Sequence, residues 1–256
     1  MTRSLLAVAW LLGLLVLAGC MDAPTETAPD TPEKLPVVRS AECRFTAGPI
    51  QIDGKLDEAA WQKAQLLQDF VVFWQNRPAK TATRARLLWD DQYLYFGADM
   101  DDSDLYATVK ERNGMTWLND VFELFFKPSR DKLTYYEFQV NPLNTQLELF
   151  LPSRGAGGYG RFAATTKFGT ESAVQLRGTL NDWQDTDTGW TVEGRIPWSA
   201  FAASGGRPVP GARWQFALCR YDYSTAFDRT ETSSTAPLTQ PDFHRYEDYG
   251  ELVFVK

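Results

Sequence analysis

Along residues 84–254 apolar and polar side chains recur with a period of two, the pattern of strands that bury one face. In residues 120–127, Phe122, Leu124 and Phe126 fall on one side, and Val121, Glu123, Phe125 and Lys127 on the other. Residues 135–141 repeat the pattern, with Tyr136, Phe138 and Val140 set against Tyr135, Glu137, Gln139 and Asn141. Residues 146–151 alternate too, and Trp190, Val192 and Ile196 share a side. Residues 84–89 and 93–99 read as a hairpin around the turn-like Asp90-Asp91-Gln92, while the Gly and Pro content of 155–160 and 204–211 marks loops. Residues 57–68 are the best helix in the chain. Many short strands with turn signals between them predict an all-β fold, an antiparallel β-sandwich with jelly-roll-like or immunoglobulin-like layers and few short helices. Trp61, Trp89, Trp190, Trp198 and Trp214 occupy apolar or strand-end positions of this pattern and are assigned to its core.

The pattern does not extend to the N-terminus. Arg3 precedes an apolar run from Leu5 to Leu17, broken only by Gly13. That run is shorter than the ~20 residues a membrane-spanning helix needs, and suits the apolar region of a signal peptide. It closes on Leu17-Ala18-Gly19-Cys20, which resembles the lipobox of bacterial lipoproteins. The resemblance implies cleavage after residue 19 and acylation of Cys20, an anchor of several acyl chains on one residue. An ordinary secretory signal, with Cys20 incidental, is the plainer reading. Residues 21–39 are rich in Pro, Thr and acidic side chains and cannot bury enough apolar surface to fold, so they read as a flexible tether. The expected organisation is a signal peptide over 1–19, a lipidated cysteine and linker over 20–39, and one domain over 40–256. The domain is expected to be exported and lipid-anchored, at the outer membrane or the periplasmic face of a membrane.

Charge and chemistry narrow the partners. The precursor carries a formal charge of −7. An acidic domain without a basic stripe argues against nucleic acid and anionic lipid as partners, leaving the lipid anchor as the membrane contact. Cys43 and Cys219 would share an oxidising compartment, where a disulfide and a pair of buried free thiols both fit. His244 is the only histidine, which excludes a multi-histidine metal site. It lies in a loop beside Phe243, where a loop-structural role and a polar contact to a sugar are both open.

The polar sides of the strands carry the functional signal. Glu123, Glu137, Gln139 and Asn141 all lie opposite the core side. If their strands pair, donors and acceptors line one sheet face, as a neutral polyhydroxylated ligand requires; a solvated strand face is the alternative. Several segments, in order, resemble the family 9 carbohydrate-binding modules: 52–61 (IDGKLDEAAW), 88–95 (LWDDQYLY) followed by 98–102 (ADMDD), 117–126 (WLNDVFELFF), 138–141 (FQVN) and 249–254 (YGELVF). The resemblance implies a β-sandwich in which two tryptophans hold a terminal sugar and strand side chains bind its hydroxyls. Trp117 matches the first tryptophan, Glu123 a hydroxyl-binding glutamate and Asn141 an asparagine. Gln139 stands where those binders carry arginine, and Phe243, counted back from Gly250, where the second tryptophan should be. The implied partner is a glycan or oligosaccharide, with a separate glycan-degrading enzyme acting alongside in carbohydrate catabolism.

Asp99, Asp101, Asp102 and Asp104 gather oxygen ligands at a strand end. Calcium takes such ligands and the resembled family often carries it, although the spacing is not that of an EF-hand and a solvated turn also fits. No other cofactor is expected. Two other functions compete with sugar binding. One is a glycoside hydrolase with Glu123 and Glu137 as its carboxylate pair, against which the resembled modules are not catalytic by themselves. The other is a haem b electron-transfer domain, because a related branch of the sandwich fold binds haem through Met and Lys, and Met100 and Met115 are present.

Overall fold

A computed structural model describes residues 35, 37–156, 159–162 and 167–256. The signal segment, Cys20 and most of the linker lie outside these residues. The strands are Ser40–Phe45 (β1), Val71–Val72 (β2), Arg77–Pro78 (β3), Thr83–Trp89 (β4), Tyr93–Met100 (β5), Val121–Lys127 (β6) and Tyr135–Val140 (β7). They continue with Gln146–Leu151 (β8), Glu171–Arg177 (β9), Gly189–Pro197 (β10), Arg213–Asp222 (β11), Glu231–Ser234 (β12) and Gly250–Val255 (β13). Among the described residues, helical structure is confined to Tyr159–Phe162 (α1) and short 3₁₀ turns.

The strands form one sheet in the order β9-β10-β5-β4-β1-β13-β11, continued on one side by β6-β7-β8 and on the other by β12-β2-β3. Side chains of β4, β5 and β10 share one buried cluster with those of β6, β7, β11 and β13, so the two halves face each other as the layers of a sandwich. The fold class is therefore the one the alternation predicts. β1 is the exception to antiparallel pairing: it runs parallel to both β13 and β4, and it joins the layers.

Period-two alternation explains how the core fills. Phe122, Leu124 and Phe126 of β6 and Tyr136, Phe138 and Val140 of β7 point into the space between the layers, opposite Leu87, Trp89, Phe96 and Met100. Trp89, Trp198, Trp214 and Phe254 meet edge to face, at centroid distances of 4.9–6.3 Å, an arrangement aromatic quadrupoles favour. Gly194 of β10 lies against Phe96: a Cβ there would fall 2.2 Å from the ring, so the approach requires glycine. The β4–β5 hairpin forms as expected, and the Asp90 carboxylate caps its turn by accepting the Gln92 and Tyr93 N–H groups.

One expectation is corrected, and one pair of open readings is resolved. Residues 57–68 are not a helix. Only Trp61–Lys63 make a 3₁₀ turn, Ala64 is extended at ψ 146°, and Leu67 bridges to Ala85 of β4. Tertiary contacts override the local preference here, since Trp61 is buried and its indole N–H donates to Glu193 at 2.9 Å. The Cys43–Cys219 disulfide does not form. Both are buried free thiols. Cys43 lies in the cluster between the layers and Cys219 in a separate one on the opposite face of β11, so the sheet itself keeps them apart.

Candidate functional site

The side of β6, β7 and β8 that faces away from the core is not solvated. It carries a second buried cluster, including Phe125, Tyr135, Leu147, Leu149, Leu151, Ala217, Phe243 and Tyr249. A cavity of about 420 Å³ opens over this face, a size that suits a small ligand. Strand register builds its floor: Glu123 lies opposite Gln139, Phe125 opposite Glu137, Glu137 opposite Leu149 and Tyr135 opposite Leu151. One wall is Trp117, from the 3₁₀ turn Thr116–Leu118, with Tyr159 of α1 and residues 154–156. The other is Tyr221 of β11 with Pro241, Asp242, Phe243 and His244.

The aromatic walls are fixed in place. Trp117 and Tyr159 meet edge to face at 4.9 Å. The Tyr159 hydroxyl donates to the Asn113 carbonyl, and the Tyr223 hydroxyl holds the Trp117 carbonyl at 2.9 Å. Trp117 is only partly buried and leaves ring surface to the cavity. Phe243 is 7% exposed and packs against Tyr221, Phe125 and Trp74, so it offers the cavity less surface than Trp117.

The polar floor is unusual in its bonding. Gln139 is spent on its neighbours: its amide nitrogen donates to Glu137 Oε1 and its oxygen accepts the Thr116 hydroxyl. Glu123 and Glu137 are 2% and 3% exposed, yet Glu123 Oε1 and Glu137 Oε2 have no hydrogen-bond partner. His244 Nδ1 stands 3.9 Å from Glu137 Oε2 and 2.9 Å from the Tyr135 hydroxyl. Burial, and then the charge of Glu137, push the Glu123 carboxyl well above the ordinary range. Burial raises Glu137 too, opposed by His244 and the Gln139 bond.

Of the five residues expected to bind sugar, the structure brings Trp117, Glu123, Gln139 and Phe243 to this cavity. Asn141 is elsewhere. Its amide donates to the Val109 carbonyl and to Asn119 Oδ1, and its oxygen accepts the Thr145 N–H; it braces the loop that precedes Trp117. Sequence reasoning missed Tyr159 and Tyr221. Tyr221 shares the outward parity of Ala217 and Cys219, a signal that was available, whereas nothing in the glycine-rich loop before Tyr159 marks it.

The aspartates expected to gather do not share one point. Asp99 pairs with Arg177 at 2.7 Å, Asp101 with Arg84 at 2.9 Å, and Asp104 accepts both the N–H and the hydroxyl of Thr225. Among the described residues, the carboxylates close enough to share an ion are Asp102, Asp120 and Asp222. The buried Arg220 guanidinium reaches two of them, at 3.0 Å from Asp102 and 3.1 Å from Asp222. Asp120 spends both oxygens on the Tyr106 and Tyr223 N–H groups. A divalent ion would have to displace the guanidinium, so these residues do not fit calcium. The haem expectation finds no joint site either: Met100 is in the core between the layers, and Met115 is half exposed.

Comparison with known proteins places the chain. Residues 52–256 match the family described as carbohydrate family 9 binding domain-like. Endo-1,4-beta-xylanase A of Thermoanaerobacterium saccharolyticum is 31% identical over 160 residues, 60% of this chain. The match spans only 11% of that enzyme's length. Among solved structures, a family 9 carbohydrate-binding module of Caldicellulosiruptor kristjanssonii in complex with cellotriose superimposes with TM-score 0.57 at 17% identity, covering 84% of this chain and 93% of that one. A protein of Bacteroides uniformis does so with TM-score 0.67 at 18% identity, over 85% and 99%. Both share the fold. With the family match running through nearly every strand, from the turn before Trp61 to the end of β13, the chain belongs to the carbohydrate family 9 binding domain-like family.

Proposed function

We propose that this domain binds glycan in the cavity over β6–β8 and is displayed outside the cytoplasm on a lipid anchor at Cys20. A sugar ring stacks on Trp117, with Tyr159 and Tyr221 completing the walls, while Glu123 and Glu137 bind its polar groups. Gln139 orients Glu137, and Phe243 and Asn141 support the walls. The observation that carries this reading is the conjunction of a half-open tryptophan with buried acceptors that have no partner in the protein. Polar groups so placed are costly unless a ligand satisfies them. Binding, not hydrolysis, is the role that membership in a binding-domain family supports, and a separate enzyme would cleave the bound glycan.

The test is a glycan array spanning neutral, acidic and amine-bearing saccharides, then calorimetric titration of the best hits. Stacking on one aromatic face is worth about 1–3 kcal/mol by analogy with bases on aromatic side chains, so Trp117→Ala weakens binding roughly tenfold or more. Equal affinities, with matching circular dichroism, would remove Trp117 from the site. For the anchor, Cys20→Ser moves the protein out of the membrane fraction; unchanged partitioning overturns the lipid assignment.

A further inference from the structure

The cavity floor poses a charge problem that a neutral sugar does not solve. Glu123 and Glu137 sit on one face of adjacent strands, buried, each with an oxygen that nothing in the protein satisfies. Among the residues whose side chains are described, no lysine or arginine pairs with either. Arg154 lines the cavity, but both its terminal nitrogens bind Glu247, at 2.6 and 2.9 Å. His244 stands 3.9 Å from Glu137, shared with Tyr135. The remaining titratable neighbours are Asp242, the hydroxyls of Tyr135, Tyr159, Tyr221, Tyr223 and Tyr249, and the buried Cys219, which lies opposite Glu123 across β6 and β11. None of these is a fixed cation. Above the two carboxyls stand Trp117, Tyr135, Tyr159 and Tyr221, whose rings attract a positive charge at their faces.

Resting on the glycan-binding reading, we propose that the ligand is an amino sugar: its ring lies against Trp117 and its protonated amine seats between Glu123 and Glu137. An ammonium has three donors and no acceptor. It satisfies both orphaned oxygens with charge-assisted bonds, which are shorter and stronger than those of a hydroxyl. Two neighbouring hydroxyls of a neutral sugar can donate to both oxygens, but they bring no positive charge to balance ionised carboxylates. An acetylated amine is neutral and has lost that charge. A bare metal ion would find two carboxylates but make no use of the aromatic walls.

The site also dictates a pH signature. Without ligand, burial and mutual repulsion favour protonated carboxyls; an ammonium favours ionised ones. Binding therefore releases protons at acidic pH, and affinity climbs as pH rises until the ligand's own amine loses its charge. A neutral sugar follows no such bell.

The experiment titrates the full chain calorimetrically, from pH 5 to 9, with a β-1,4-linked glucosamine trimer, its fully N-acetylated counterpart, cellotriose, and methylammonium as a protonated amine without a sugar. The glucosamine trimer is expected to bind at least tenfold tighter than the two neutral trimers, a gap of about 1.4 kcal/mol, with a bell-shaped pH profile. Glu123→Gln and Glu137→Gln, checked for fold by circular dichroism, are each expected to erase that discrimination; the wild-type pH profile stands as an independent measure. If cellotriose binds as tightly as the glucosamine trimer at every pH, the amino-sugar assignment falls and the glycan reading survives. If methylammonium matches the trimer, the sugar half of the assignment falls. If none of the saccharides, here or on the array, binds, both fall together.

Discussion

Two groups of buried carboxylates sit within this sandwich and are treated in opposite ways. Asp102, Asp120 and Asp222 surround the guanidinium of Arg220, and Asp120 is further held by two backbone N–H groups. Glu123 and Glu137 are as deeply buried, but face a cavity and leave two oxygens without partners. The first group carries its counter-charge in its own sequence; the second has it missing. Asp222 Oδ1 also lacks a hydrogen-bond partner, so neither burial nor one unbonded oxygen separates the two groups. What does is the ion pair to Arg220, which has no counterpart at Glu123 and Glu137 among the described side chains. Glu193 makes the same point about burial. It too is fully buried, yet it accepts the Asp53 and Gly54 N–H groups and the Trp61 indole and serves as the anchor of a loop.

The sharpest way to break this contrast is to remove the internal cation. Arg220→Met strands two buried carboxylates, Asp102 and Asp222, and should cost on the order of 3–5 kcal/mol in denaturant unfolding, as breaking a buried pair typically does. A loss no larger than that of Glu123→Gln would show that the two groups do not differ in kind. A second measurement follows stability against pH. Burial and the charge of Asp222 push Asp102 up to about 7, above the ~3.9 of an unfolded chain. The native state then holds a proton that the unfolded state has released, so stability falls as pH rises from about 4 to about 7 and levels off above. Glu193, also raised to about 7 by burial, adds to the same slope. Asp102→Asn should flatten the curve in part, and an unchanged slope would discard this account of Asp102. The smallest effect is expected at Glu123. Glu123→Gln replaces a buried carboxyl that has no internal counter-charge and should stabilise the ligand-free domain by roughly 0.5–1 kcal/mol, more as pH rises and the carboxyl would ionise. Destabilisation there would mean that Glu123 has a structural duty.

The sequence made one level of this legible. Phe122, Leu124 and Phe126 could be assigned inward and Glu123 outward because side-chain direction in a strand depends only on parity. Parity does not say how far along a strand the cavity reaches. Asn141 has the right parity, but it lies just past the end of β7, where its amide serves Asn119 and Thr145. Nor does local sequence reveal which distant segments converge. Asp102 meets Asp120 and Asp222 through the pairing of β5, β6 and β11 with their neighbours, while its chain neighbours Asp99, Asp101 and Asp104 take partners elsewhere. The local preference of residues 57–68 for helix lost to Trp61 docking on Glu193 and Leu67 pairing with Ala85, both contacts with remote strands.

The parallel seam between β1 and β13 has a consequence for how the chain reaches this structure. Ser40 to Arg44 pair with Glu251 to Val255, whereas β1 touches β4 only at Arg44↔Leu88 and Phe45↔Trp89. The first strand of the domain thus finds most of its backbone partners in the last. A chain synthesised from its N-terminus leaves this edge of β1 open while the strands between are made, because its partner is the last strand of the domain. Joining such remote segments is entropically expensive and slow, so the seam closes late. The domain is then sensitive to loss of its last few residues out of proportion to their number.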